Sequence, residues 1–189
     1  MTIRALFCDL DGTLVETKDA NFLAYREALA NSGIELGRET FLETWGQDSR
    51  VFLPNLFPQL SQSELDSIRE SKANLYPKFL HMTTLNIALS KLLELQKRNG
   101  IVLGLVTTAK ASNATGILEF HKITELFDFL VTGDDVSSSK PDPECYLQAL
   151  EKASVFPNNA ITFEDTETGI AAAENAGIRS IRISLGGSE

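Results

Sequence analysis

The sequence predicts an α/β fold: a doubly wound parallel sheet with a small helical domain inserted after its first strand. Three observations carry this expectation. Short apolar runs alternate with helix-patterned segments from residue 83 onward, as right-handed βαβ units require. Between Glu16 and Met82 the pattern is helical, with no clear strand. Polar residues recur where apolar runs end, at Asp9 and Asp11, Thr107, Asp134 and Asp135, and Glu164 and Asp165. In a parallel sheet these carboxyl ends share one edge, where open α/β sheets bind their ligands.

The elements follow in order. Ile3 to Phe7 is short and mostly apolar and reads as a buried strand. Gly12 then permits a backbone turn that a larger residue would resist. Phe22, Arg26 and Leu29, with Leu23 beside them, mark an amphipathic helix ending near Gly33. Thr40 to Trp45 and Val51 to Leu56 read as short helices, the second interrupted by Pro54. Ser61 to Glu64 has the form of a capping box. It opens a helix with apolar positions Leu65, Ile68, Leu75 and Phe79, which kinks or ends at Pro77. About 65 residues are too many for one crossover connection, so this block is expected to form a lobe of its own.

Asn86 to Lys97 is a helix with Leu89, Leu92 and Leu93 on one face. Ile101 to Val106 is almost continuously apolar, as buried parallel strands are. A helix from about Ser112 to His121 leads to a strand at Phe127 to Val131. The loop through Lys140-Pro141-Asp142-Pro143 leads into a helix from about Glu144 to Lys152. Ala160 to Phe163 is a strand, Thr166 to Ala176 a helix stopped by Gly177, and Ser180 to Ile183 a last strand.

Asp9 and Asp11 stand two apart at the end of the first strand. Two such carboxylates repel, so a bound cation, a shared proton or full solvation must compensate. A hard cation such as Mg²⁺ takes oxygen ligands of this kind, and a carboxylate can be a nucleophile. The structural alternative is an Asx-rich turn with both acids solvated.

Composition narrows the classes. The chain has 189 residues, 43% of them hydrophobic, and a net charge of -9. That balance argues against nucleic acid or an anionic membrane as partner. The two cysteines, Cys8 and Cys145, have no zinc-like spacing. No secretory signal and no membrane-length apolar run is visible, so the cytoplasm is the expected compartment.

The run Asp9-Leu10-Asp11-Gly12-Thr13-Leu14 resembles the first motif of the haloacid dehalogenase-like hydrolase superfamily. Thr107 resembles its second motif, Lys140 in Lys-Pro-Asp-Pro its third, and Glu164-Asp165 its acidic fourth. The four occur in order over nearly the whole chain. An acid at Asp11 points to the phosphatases and phosphomutases of that superfamily and away from the dehalogenases. The resemblance extends to the branch with a C1 helical cap, typified by phosphoglycolate phosphatase and β-phosphoglucomutase. It implies a Rossmann-like catalytic core at residues 1–15 and 83–189 and a cap at 16–82.

The resemblance also implies roles. Asp9 attacks phosphorus and forms an aspartyl-phosphate. Asp11 protonates the leaving oxygen and then deprotonates the hydrolytic water. The Thr107 hydroxyl bonds the transferring phosphoryl group, and Lys140 offsets charge on phosphate and on Asp9. Mg²⁺ is held by Asp9, the Asp11 carbonyl, Asp165 and Glu164. Arg50, in Trp45-Gly46-Gln47-Asp48-Ser49-Arg50, is a candidate for a second anionic group of the substrate, and Thr108 and Lys110 for the site mouth. The expected substrate is a small phosphorylated metabolite. Alternatives are a β-phosphoglucomutase-like phosphomutase and a non-catalytic binding protein on the same scaffold. The chain departs from the common pattern at Ser139, where glycine is usual, at Glu164 in place of aspartate, and in stopping six residues after Ile183. Oligomeric state is open.

Overall fold

A computed structural model describes residues 2–185 of the chain. The tail after Ile183 lies mostly outside the described residues. The chain divides into two compact units, one running to Glu16 and again from Thr84, the other Thr17–Thr83.

The first unit is a parallel sheet flanked by helices. Its elements are β1 (Ala5–Cys8), β2 (Val15–Glu16), then, after the other unit, β3 (Thr84–Leu85), α5 (Ile87–Arg98) and β4 (Val102–Val106). There follow α6 (Ala111–Phe120), β5 (Phe129–Val131), α7 (Glu144–Ala153), β6 (Ala160–Glu164), α8 (Glu167–Asn175) and β7 (Arg179–Arg182). The strand order is β5-β4-β1-β6-β7, every pair parallel. β2 and β3 form a two-residue antiparallel ribbon where the chain leaves and re-enters this unit.

β1 is central and fully buried, with β4 on one side and β6 on the other. Its successive side chains point to opposite faces. Ala5 and Phe7 pack in a core with Tyr146, Ala149 and Leu150 of α7 and Ala172 and Ala173 of α8. Leu6 and Cys8, on the other face, are also buried. The strand order runs outward from β1 to β5 and then returns to β6 and β7. This reversal between β1 and β6 is the topological switch point, where ligands of open α/β sheets bind.

α5 differs from expectation on one point. Leu89, Ser90 and Leu93 are its buried residues, while Leu92 is 41% exposed. Leu89 and Leu93 stand four apart and align on a 3.6-residue helix; Leu92 is rotated off that stripe.

The second unit is helical: α1 (Lys18–Ala30), α2 (Arg38–Leu42), α3 (Ser49–Leu56), α4 (Gln62–Leu75) and a 3-10 segment (Tyr76–Met82) that begins at the expected proline break. Its core joins Phe22, Tyr25, Leu29, Phe41, Phe52, Leu53, Leu65 and Ile68. On α1 the face carries Tyr25 in place of Arg26, which is exposed and sets its guanidinium over the Phe22 ring. α2 ends at Leu42, short of the expected Trp45. α3 runs through Pro54, whose missing N–H costs one intrahelical bond in a helix opened by the Asp48 cap. The capping box is present: Ser61 N–H donates to Glu64 Oε2 at 2.8 Å, and Glu64 N–H donates to Ser61 Oγ at 3.4 Å. No helix among the described residues is long and apolar enough to cross a membrane.

Candidate active site

Three strand ends deliver the central groups. The Asp9 N–H donates to Phe163 O at 3.0 Å, which carries the β1–β6 ladder as far as Asp9. Asp9 is 7% exposed. The chain then turns at once. Gly12 N–H donates to Val15 O and Val15 N–H to Leu10 O, with Gly12 at φ +89°, a conformation that costs a side-chain-bearing residue energy. Thr13 Oγ1 donates to Asp165 Oδ1 at 3.1 Å, tying this turn to the end of β6. Asn86 caps α5 and also donates from Nδ2 to Thr13 O.

Lys140 reaches Asp9 from a loop that is pinned at several points. Ser137 and Ser138 N–H groups donate to the Glu144 carboxylate, Asp142 N–H donates to Ser139 O, and Asn175 Nδ2 donates to Pro141 O. The Lys140–Pro141 peptide is cis. The ammonium donates to Asp9 Oδ1 at 2.8 Å, Glu164 Oε1 at 2.6 Å and Val106 O at 3.1 Å. An ammonium has three protons, and all three are engaged by the protein.

Glu164 is fully buried. Its Oε1 accepts from Lys140 and from the Tyr146 hydroxyl, while Oε2 is buried with no hydrogen-bond partner. Gly169 makes room for this carboxylate, since a Cβ there would lie 2.0 Å from Oε2. Thr166 caps α8, accepting from Gly169 N–H at 3.1 Å. Oxygens of Asp9, Glu164 and Asp165 all lie within 4.8 Å of one another.

The electrostatics follow from burial. Desolvation pushes the Asp9 carboxyl well above the usual carboxylate range against the pull of Lys140, and Glu164 and Asp165 push it the same way. Burial works against the charge on Lys140, yet Asp9 and Glu164 outweigh it and hold the ammonium well above the ordinary lysine value. Burial likewise raises the Tyr146 phenol and the Cys8 thiol, and pushes Cys145 to about 11. These three groups are neutral near pH 7 and are no nucleophiles.

Asp9 and Glu164 share the single Lys140 ammonium, and Glu164 Oε2 has no partner. An additional cation would satisfy that orphaned oxygen. The donors are all carboxylate oxygens at compatible spacing, a set that suits Mg²⁺.

The remaining expected residues are placed as follows. Asp11 is half-buried in the turn after Asp9. Thr107 is buried at the end of β4, and its Oγ1 accepts from Ala109 N–H at 3.0 Å. Thr108 is half-buried, with its carbonyl against Gly133. Lys110 is exposed just before α6. Arg50 belongs to the other unit, where its guanidinium forks onto Asp48 with contacts of 2.9 and 3.2 Å. Sequence reasoning passed over Tyr146, Thr162, Thr13 and Asn86. The first two read as core or strand residues, and only their contacts with Glu164 and with each other distinguish them.

A buried acid–lysine–acid cluster at the switch point of a parallel sheet defines a class of α/β hydrolase. The model of the haloacid dehalogenase-like hydrolase family matches residues 6–183, and the chain belongs to that family. It is 32% identical to the phosphorylated carbohydrates phosphatase of Thermotoga maritima, over 95% of this chain and 84% of that one. Its structure superposes on CbbY from Rhodobacter sphaeroides in complex with phosphate with a TM-score of 0.90, at 26% identity, covering 97% of this chain and 87% of that one. It also superposes on β-phosphoglucomutase from Clostridium difficile with a TM-score of 0.86, at 26% identity, covering 97% and 86%.

Proposed function

We propose that this chain is a Mg²⁺-dependent phosphatase that hydrolyses a small phosphorylated metabolite through an aspartyl-phosphate on Asp9. The observation that carries this reading is the buried Asp9 carboxylate, paired with Lys140 and within 4.8 Å of Asp165 and Glu164 oxygens. The likeness to a phosphatase of phosphorylated carbohydrates supports the substrate class.

Asp9 attacks phosphorus in line with the leaving oxygen. The phosphorus–oxygen bond to the leaving group breaks, and Asp11 gives that oxygen its proton. A water then attacks the aspartyl-phosphate, Asp11 takes the water's proton, and the bond between Asp9 and phosphorus breaks to release phosphate. Lys140 opposes the burial that favours the neutral acid at Asp9, and Thr107 holds a phosphoryl oxygen. Asp9, Asp11, Glu164 and Asp165 would hold Mg²⁺, which when bound would offset charge on the phosphoryl oxygens. Residues 16–82 serve as the cap, with Arg50 a substrate contact, and residues 1–15 and 83–189 as the catalytic core.

Phosphate release from a panel of phosphomonoesters, with and without Mg²⁺ and beside D9N, tests this. Mg²⁺-dependent release that vanishes in D9N is the expected result. The likeness to a β-phosphoglucomutase favours one second reading, a phosphomutase with the same catalytic residues. A sugar 1-phosphate supplied with its bisphosphate separates the two: isomer without free phosphate would replace the phosphatase reading.

A further inference from the structure

Tyr146 and Thr162 stand behind the carboxylate cluster, and both are fully buried. The Tyr146 ring packs in the apolar face of α7 with Cys145, Ala149 and Leu150, near Phe7 of β1. A phenylalanine would fill that space without burying a hydroxyl. Burial of a hydroxyl costs free energy unless it is hydrogen-bonded. Here it is bonded twice. The Tyr146 hydroxyl donates to Glu164 Oε1 at 2.5 Å and accepts from Thr162 Oγ1 at 3.1 Å.

The consequence falls on Glu164. Both donors to its carboxylate, Tyr146 and Lys140, converge on Oε1. Oε2 has no protein partner, and only the absence of a side chain at Gly169 leaves it space. Two donors on one oxygen fix the rotation of the carboxyl plane and leave the other oxygen open.

We propose that Tyr146, braced by Thr162, is a positioning residue that sets the rotation of the Glu164 carboxylate and so presents Oε2 to the cation. This rests on the Mg²⁺ reading above. Tyr146 touches neither substrate nor metal; it acts through Glu164. Such outer partners of a ligating carboxylate are commonly worth about 10- to 100-fold in metal affinity.

The test is Mg²⁺ binding by calorimetry to the metal-stripped full chain, for wild type, Y146F, T162V and T162S. Thermal melts in chelator establish that each is folded. The Mg²⁺ dissociation constant rises about 10-fold in Y146F and by a smaller factor in T162V. It returns to the wild-type value in T162S, which keeps the hydroxyl. A merely structural role would lower the melting temperature without this order of affinities. Should Y146F not fold, T162V decides: weakened Mg²⁺ binding supports the relay, and unchanged binding overturns it. A wild type that binds Mg²⁺ and releases phosphate, with Y146F binding Mg²⁺ equally well, overturns the relay alone. A wild type that neither binds Mg²⁺ nor releases phosphate overturns the relay together with the function on which it rests.

Discussion

Each unit buries a lysine, and the two have different surroundings. Lys140 is 9% exposed and gives its three protons to two carboxylates and a carbonyl. Lys72 is 7% exposed and lies over aromatic faces, 4.2 Å from the centre of the Tyr76 ring and 5.0 Å from that of Tyr25. The first arrangement concentrates charge where acids would otherwise repel. The second sets an ammonium beside the quadrupoles of two rings, in a unit whose core is built largely of Phe, Tyr and Leu side chains. A buried ammonium is thus no marker of chemistry by itself. What marks Lys140 is that two of its three acceptors are carboxylates that cluster with Asp165.

Substitution breaks this comparison most sharply at Lys140. K140M removes the sole cation that contacts Asp9 and Glu164 among the described residues. Phosphate release falls by about 10²–10³-fold. Chelator-treated protein loses roughly 3–5 kcal/mol in denaturant melts, because buried acids are left uncompensated. The direction with pH follows from Asp9, whose carboxyl burial already raises. Below its folded value the acid is neutral and the missing cation matters less, so the loss grows as pH rises.

Gly169 sharpens the same side. In an ordinary helix G169A would add up to about 1 kcal/mol of stability. Here the new Cβ meets the Glu164 carboxylate at 2.0 Å, so the variant instead loses about 1–3 kcal/mol, and Mg²⁺ binding weakens with it. A stabilised variant with unaltered Mg²⁺ affinity would refute the placement of Glu164.

K72M tests the other lysine. Methionine keeps a flexible apolar stem against Tyr25 and Tyr76 and loses the ammonium. The expected change in stability is below about 2 kcal/mol, read from urea melts of the full chain. A loss comparable to that of K140M would erase the distinction between the two sites.

The smallest effect lies outside both. Asp135 is exposed, and hydrogen bonds from the Thr132 hydroxyl and N–H hold its carboxyl below the usual range. A lowered carboxyl stabilises the fold above the unfolded value and loses that contribution as pH falls through the folded one. Wild type and D135N therefore differ slightly in melting temperature near neutrality and converge at acid pH.

The parallel sheet was legible because each of its buried strands is a short apolar run closed by a polar residue, as at Val106-Thr107 and Phe163-Glu164. Lengths at element ends shifted by a residue or two, since a cap or a frayed turn does not alter periodicity. The helical unit was harder to read. Lys72 takes the buried position four residues after Ile68, which a hydrophobic pattern assigns to solvent. Pro54 signalled a break, yet α3 runs on through it to Leu56. Asp9, Lys140 and Glu164 are drawn together across 131 and 24 residues of chain, distances at which no local pattern speaks. The strand-end pattern put Asp9 and Glu164 on one sheet edge, and Lys140 could be joined to them only through the family resemblance. Tyr146 gave no signal, because an aromatic on the apolar face of a helix reads as core whether or not its hydroxyl is used.

The position of β1 has a consequence for synthesis. The strand that carries Asp9 is the first made, yet it is the middle one, and its second edge is covered only by β6 at Ala160–Glu164. At ordinary elongation rates that interval is on the order of ten seconds. During it, an apolar strand ending in a carboxylate must wait with an open edge, a state that invites pairing with other chains. The arrangement that centres Asp9 in the finished sheet leaves its strand waiting longest for a second neighbour on the ribosome.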